Sequence, residues 1–254
     1  EQFSQTRTIS NGKRRRRATC LSQSEVMTIL VLYHLSGYKN LKAFYLQEIL
    51  RHHSSDFPRL CSYQRFVQLQ SRCVMPLFFY LLTKLGSCTG ISFIDATPLK
   101  VCHNLRIPSH RVFRGSAERD KSSTGWYYGF KLHLAINEKG EILGFYLTSA
   151  NVDERETVDW ITQDLWGKLI GDKGYISKSL FEKLMQRGLK LITKLRKNMK
   201  NRFVEMEDKL LLRKRAIIET VNDQLKNISN IEHSRHRSLW NFLGNLASGL
   251  IAYC

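Results

Sequence analysis

Apolar positions recur along this chain with two different periods, and the change from one to the other divides it. From Ser22 to about Leu85 the spacing is helical. Val26, Ile29, Leu30 and Tyr33 share a face behind Ser22-Gln-Ser-Glu25, whose serine and glutamate are spaced as a capping box, and Gly37 stops the pattern. A second helix is predicted over Leu41–His52, and a third over Ser62–Leu85 with a bend near Pro76. Gly86–Gly90 reads as a turn or linker.

Beyond it the pattern becomes strand-like. Ile91–Ile94 is a short buried strand ending at Asp95, with Leu99–Cys102 as its hairpin partner. A polar, basic loop follows from His103 to Gly125. Tyr127–Ile136 and Glu141–Thr148 alternate around Asn137-Glu-Lys-Gly140 and predict a β-hairpin. A helix over Val152–Leu165, capped by Asn151 or Asp153, leads to a short strand Lys168–Gly171 ending at Asp172. Ser177–Arg187 is helical and closes at Gly188, Leu189–Thr193 is another strand, and Leu210–Asn227 is an amphipathic helix bearing Glu219.

Strands first and alternating helix–strand units afterwards imply an α/β fold, a mixed sheet flanked by helices, preceded by a smaller all-α region. The expected division is a helical N-terminal region over residues 1–88, which its basic excess reads as DNA-binding and which could instead be a packing or dimerisation domain, and a mixed-sheet domain over 89–254. No repeat or low-complexity tract interrupts it.

Charge sharpens the picture. Lys and Arg number 40 against 22 Asp and Glu, a formal net charge of +18, which is the electrostatic footprint of a polyanion binder. The run Lys13, Arg14, Arg15, Arg16 and Arg17 reads as a phosphate-gripping arm. The six cysteines form no Cys-x-x-Cys pair, which argues against zinc, and His233 and His236 read as surface or DNA-contacting residues. No signal peptide opens the chain, and the longest strongly apolar run, Val74–Leu82, is too short to cross a bilayer. With Glu1 in place of an initiator Met and an apolar segment running directly into Cys254, the chain reads as a fragment of a somewhat longer protein.

In so basic a chain, three carboxylates stand out. Asp95 lies in Phe93-Ile-Asp-Ala-Thr97, Asp172 in Gly171-Asp-Lys-Gly-Tyr175, and Glu219 within Arg215-Ala-Ile-Ile-Glu-Thr-Val-Asn-Asp-Gln-Leu-Lys226. Each alone has an ordinary reading: a turn cap, a β-turn residue, a helix-surface partner of Arg215. If their strands are neighbours in the sheet and the helix crosses them, the three together would form an oxygen cage for hard divalent ions. Two such ions about 4 Å apart activate the attacking and leaving oxygens of a phosphodiester. Without an ion the carboxylates should repel one another.

These stretches, with Gly125-Trp-Tyr-Tyr-Gly-Phe-Lys-Leu-His-Leu134, resemble the bacterial insertion-sequence transposases of the DDE superfamily, in particular the nine-eighty-two group, from about Ser22 to Cys254. The resemblance implies an RNase H-like fold, Asp95, Asp172 and Glu219 as the catalytic and metal-binding triad, and Mg²⁺ as cofactor, with Mn²⁺ as a substitute. It further implies double-stranded DNA as partner, cut and joined at the element's terminal inverted repeats and at a target. A homo-oligomeric synaptic complex and a cytoplasmic, nucleoid-associated location in a bacterium follow from it. The family's basic helix positions fall on Arg215 and Lys226; a tyrosine that related families place three residues before the arginine is Leu212 here, so no role is carried over for it. Arg111 and Arg114 in the basic loop are expected to contact DNA, and Trp126 is the aromatic most suited to stack on a displaced base. Two alternatives stay open: an RNase H-like nuclease that does not join DNA, and an inactive or truncated DNA-binding derivative.

Overall fold

The computed structural model describes residues 20–122, 125–194, 205–232 and 236–254. The arm Lys13–Arg17, and His233, lie outside these. The chain divides into a helical unit, residues 1–84 with 227–253, and a sheet unit centred on 85–226.

In the helical unit, α1 (Gln23–Leu35) starts at Ser22 with both capping-box bonds formed. Next, α2 (Leu41–Phe44) runs through a π-helical stretch (Tyr45–Ile49) into a last turn (Leu50–His52). The third predicted helix is two, α3 (Tyr63–Gln70) and α4 (Val74–Leu82), broken at Ser71–Cys73 and not at Pro76. Pro76 sits in the first turn of α4, where a missing N–H costs nothing.

The sheet unit opens with β1 (Ile91–Cys102), then a 3₁₀ turn (Asn104–Ser109), β2 (Glu118–Ser122), β3 (Gly125–Asn137) and β4 (Ile142–Ser149). After α5 (Glu154–Ile161) come β5 (Gly167–Gly171), α6 (Lys178–Gln186) and β6 (Leu189–Thr193), followed by α7 (Met206–Lys214) and α8 (Ala216–Asn227). The strand order is β2-β3-β1-β5-β6, with β4 also on β3. β3 runs antiparallel to β1, β2 and β4, while β1, β5 and β6 are parallel. This is the mixed sheet that the alternation of elements implies. At the turn after β3, Asn137 Oδ1 accepts the backbone N–H groups of Lys139 and Glu141, each at 3.0 Å. Beneath the sheet, Ile94, Val158, Ile161, Leu169, Tyr175 and Leu184 belong to one buried apolar cluster that binds α5 and α6 to it.

Four expectations are corrected. β1 is one strand of 12 residues, so Asp95 lies inside it and Leu99–Cys102 is its continuation, not a hairpin partner. β5 pairs with β1 only along Ile91–Phe93, which leaves an open edge beyond, where Pro98 is tolerated. Part of the basic loop, Glu118–Ser122, is a strand. The helix expected over Leu210–Asn227 starts earlier and breaks at Arg215, whose carbonyl accepts from Ile218 N–H at 3.1 Å in a tight turn. Finally, residues 227–253, expected in the sheet domain, group with the N-terminal helices. They hold α9 (Leu239–Tyr253), which packs against α1 and α4 through buried Phe242, Leu246 and Leu250.

Candidate active site

The site is assembled by strand register and by one helix face. Phe93 of β1 is paired with Ile170 of β5 in parallel, so two residues further Asp95 and Asp172 stand level on neighbouring chain segments. Asp95 remains in the strand, mostly buried; Asp172 has just left β5, in extended backbone before a 3₁₀ turn (Lys173–Tyr175), and is half exposed. Glu219 comes from the first turn of α8. Glu219 and Asn222, three apart, share a face of α8, and Arg215, just before the helix begins and four before Glu219, lies on the same side.

That face meets Asp95. Arg215 Nη2 lies 3.1 Å from Asp95 Oδ1, and its Nη1 lies 3.0 Å from Glu219 Oε1 and 3.9 Å from Asp172 Oδ1. Asn222 Nδ2 donates to Asp95 Oδ2 at 3.0 Å. The three carboxylates are therefore brought together, but around a guanidinium. The mutual repulsion expected from the sequence is offset by Arg215, which is only 15% exposed. Helix α7, which delivers Arg215, is pinned to the sheet by Asp208, whose carboxylate pairs at 2.9 Å with both Lys168 and Lys190.

Burial pushes the Asp95 carboxyl up, against the pull of Arg215 and with a further push from Asp172. One further carboxylate escaped the sequence reading. Glu154 opens α5, and burial pushes its carboxyl up, opposed by Lys131 and reinforced by Asp95 and Asp172. Its Oε2 is 3.3 Å from where a Cβ on Gly174 would stand, in the loop that carries Asp172. Tyr175, fully buried, keeps a hydroxyl with no hydrogen-bond partner and a phenol pushed well up by burial, Glu154 and Asp95.

The other predicted positions are more scattered. Arg111 and Arg114 are exposed in the loop before β2. Trp126 is 63% exposed on β3, whereas the adjacent Tyr127 and Tyr128 are buried. Lys226 is half-buried on α8, seven residues beyond Glu219.

Among the described residues, no group of three His, Cys, Asp or Glu side chains is arranged to hold a metal ion. The donor chemistry nevertheless suits one. Hard carboxylate oxygens from three elements share a single cation in Arg215, and Asp172 and Glu219 are open to solvent on one side. Among the described residues no helix is long and apolar enough to cross a membrane.

Residues 85–239 match the family described as "Transposase DDE domain". The matched stretch covers the sheet unit and with it Asp95, Asp172 and Glu219. No curated protein matches the sequence. Among solved structures, the chain is similar to a piggyBac transposase, determined as a synaptic complex with hairpin DNA. The match has 12% identity and a TM-score of 0.54, over 99% of this chain and 69% of that one. A Mos1 strand transfer complex is matched at 10% identity over 92% of this chain and 85% of that one, with a TM-score of 0.26 that carries no structural argument. The sheet and its flanking helices are the RNase H-like architecture of such transposases.

Proposed function

The chain belongs to the family of transposase DDE domains, and from that premise we propose that it is a DNA transposase that cuts and joins DNA at the terminal inverted repeats of an insertion sequence. The narrower likeness to the bacterial nine-eighty-two group, with a cytoplasmic, nucleoid-associated location, belongs to this proposal. The observation that carries it is the gathering of Asp95, Asp172 and Glu219, from two neighbouring segments of the sheet and a crossing helix, about one cationic group.

In this reading Asp95, Asp172 and Glu219 would hold Mg²⁺, with Mn²⁺ as a substitute. The bound ions supply activation of the attacking oxygen and stabilisation of the leaving one. The residues of the chain do the rest. Asn222 fixes the plane of the Asp95 carboxylate, and the mostly buried setting of Asp95 keeps water from dispersing its charge. In strand cleavage, water oxygen bonds to phosphorus and the 3′ oxygen leaves as a hydroxyl. In joining, that hydroxyl attacks a target phosphate and displaces the target's own 3′ oxygen.

Lys226, Arg111, Arg114 and the arm Lys13–Arg17 bind double-stranded DNA through phosphates, and exposed Trp126 offers a face to a displaced base. We assign the helical unit to DNA contact and assembly into a homo-oligomeric synaptic complex.

The test uses labelled terminal-repeat DNA with Mg²⁺. Asp95→Asn, Asp172→Asn and Glu219→Gln should each abolish cleavage while leaving DNA binding largely intact. Near-parental cleavage by any of them removes that residue from the site. A pre-cut 3′-hydroxyl end offered with a target duplex should give a joined product. Hydrolysis without joining would instead identify a nuclease, and binding without either reaction an inactive derivative.

A further inference from the structure

The cation at the centre of this site is a side chain, and it uses the oxygens that the proposed function reserves for metal. Arg215 touches Oδ1 of Asp95 and Oε1 of Glu219 and approaches Oδ1 of Asp172. We propose that Arg215 is a resident counter-cation: it keeps the three carboxylates assembled before metal arrives and gives up their oxygens when a divalent ion binds. The inference rests on the metal-binding reading above.

Three features support an exchange in preference to a permanent ion pair. First, one guanidinium charge faces three carboxylate charges, so the cluster keeps a demand for more positive charge than Arg215 supplies. Second, among the described residues the guanidinium's polar partners are these carboxylates, while its Nε is buried with no hydrogen-bond partner. A buried donor left unmatched weakens the hold on this conformer. Third, Arg215 stands at the break between α7 and α8, and not inside either helix.

A divalent ion and a guanidinium cannot share one set of oxygens in a half-buried site without strong repulsion. Metal entry and departure of the Arg215 side chain are therefore coupled. Once released, its planar fork suits a phosphate oxygen pair, so the same arginine is handed from carboxylates to DNA as the site is loaded. Arg215 acts through the carboxylates, as a positioning residue.

The experiment measures Mn²⁺ binding to the full chain without DNA, from the loss of the free-ion paramagnetic resonance signal, together with melting temperatures. Arg215→Gln should bind Mn²⁺ about tenfold more tightly than the parent, within the usual range of site-to-site coupling. It should melt lower than the parent without metal and gain more on adding Mn²⁺. Arg215→Lys keeps the charge but cannot span three carboxylates, and should fall between the two. Asp95→Asn should lose Mn²⁺ binding with or without the Arg215 change. Should Arg215→Gln unfold without metal, Mn²⁺-driven refolding followed by circular dichroism supports the exchange. Failure to refold, with Arg215→Lys binding no tighter than the parent, overturns it. Equal Mn²⁺ affinity in the parent and Arg215→Gln overturns the exchange while leaving the metal site standing. Undiminished binding in Asp95→Asn, or none in any protein, overturns the metal site and the exchange with it.

Discussion

Asn222 donates from Nδ2 to Asp95 Oδ2 at 3.0 Å, joining a helix and a strand that lie 127 residues apart in sequence. The bond anchors the carboxylate from the side opposite Arg215, and the amide oxygen of Asn222 is itself buried and unpartnered. Asn222→Ala should slow strand cleavage roughly 10–100-fold, the usual effect of removing a residue that orients a metal ligand. Asn222→Asp, which sets a carboxylate against a carboxylate, should be worse. Single-turnover cleavage of terminal-repeat DNA measures both, and a parental rate for Asn222→Ala would mean that Asp95 is oriented without it.

Glu154 is pushed up by burial and by the like charges of Asp95, Asp172 and Asp153, against the pull of Lys131, so its ionised form costs the metal-free fold. Glu154→Gln should stabilise the metal-free protein by on the order of 1 kcal/mol in urea denaturation, and should reduce the stabilisation that Mg²⁺ provides. A less stable variant would show that the carboxylate is held by partners and not repelled by its neighbours.

Three histidines make the fold sensitive to acid. Burial takes His34, His133 and His236 down to about 4 from an ordinary 6.5. The folded pKa lies below the unfolded one, so this stability is complete above pH 6.5 and is lost as pH falls toward 4. By pH 5 the loss is on the order of 2 kcal/mol per histidine. The raised carboxyls of Asp95 and Glu154 act with the opposite sign, so replacement isolates the histidine effect. Urea midpoints should fall between pH 7 and pH 5, and His133→Gln should fall less steeply. Equal slopes would assign the acid sensitivity to other groups.

Two glycines should respond in opposite ways to one added methyl group. A Cβ on Gly129, in β3, would meet the Leu99 carbonyl oxygen at 2.0 Å, backbone against backbone across the β1–β3 ladder. Gly129→Ala should cost about 3 kcal/mol or more, because neither strand can yield alone. On Gly244, within α9, the nearest contact is Val74 Cγ2 at an ordinary 3.5 Å. Gly244→Ala should be neutral or stabilise by up to about 1 kcal/mol through helix propensity. Thermal melts of both variants decide the matter, and a silent Gly129→Ala would contradict the strand register.

Much of this was written in the chain. Short apolar runs meeting Asp95 and Asp172 marked two adjacent segments, and the β3–β4 turn was visible in Asn137 and Gly140. What stayed hidden depended on three-dimensional pairing. Whether β1 stopped at Asp95 turned on how far β3 pairs alongside it, out to Cys102 against Tyr128, which no periodicity encodes. Glu154 lies among Asp153, Arg155 and Glu156, where an acidic first turn is the ordinary complement of a helix dipole. Arg215 was legible as the residue four before Glu219, but its reach across to Asp95 and Asp172 depends on the fold and was not. In α9 the apolar residues are interrupted by Gly244 and Gly249 and spread around most of the circumference, so no polar stripe marks a helix.

The pairing of α9 with α1 and α4 fixes an order of assembly. Residues 85–226 are contiguous, so on the ribosome their sheet can close as soon as that stretch has emerged. The first helices cannot finish packing until Phe242, Leu246 and Leu250 have been made, and until then the surface they will cover on α1 and α4 is exposed to solvent and to other chains. A premature stop shortly after Asn227 would thus leave the triad and its sheet complete while depriving the helical unit of its closing helix, a product suited to aggregation or to capture by chaperones.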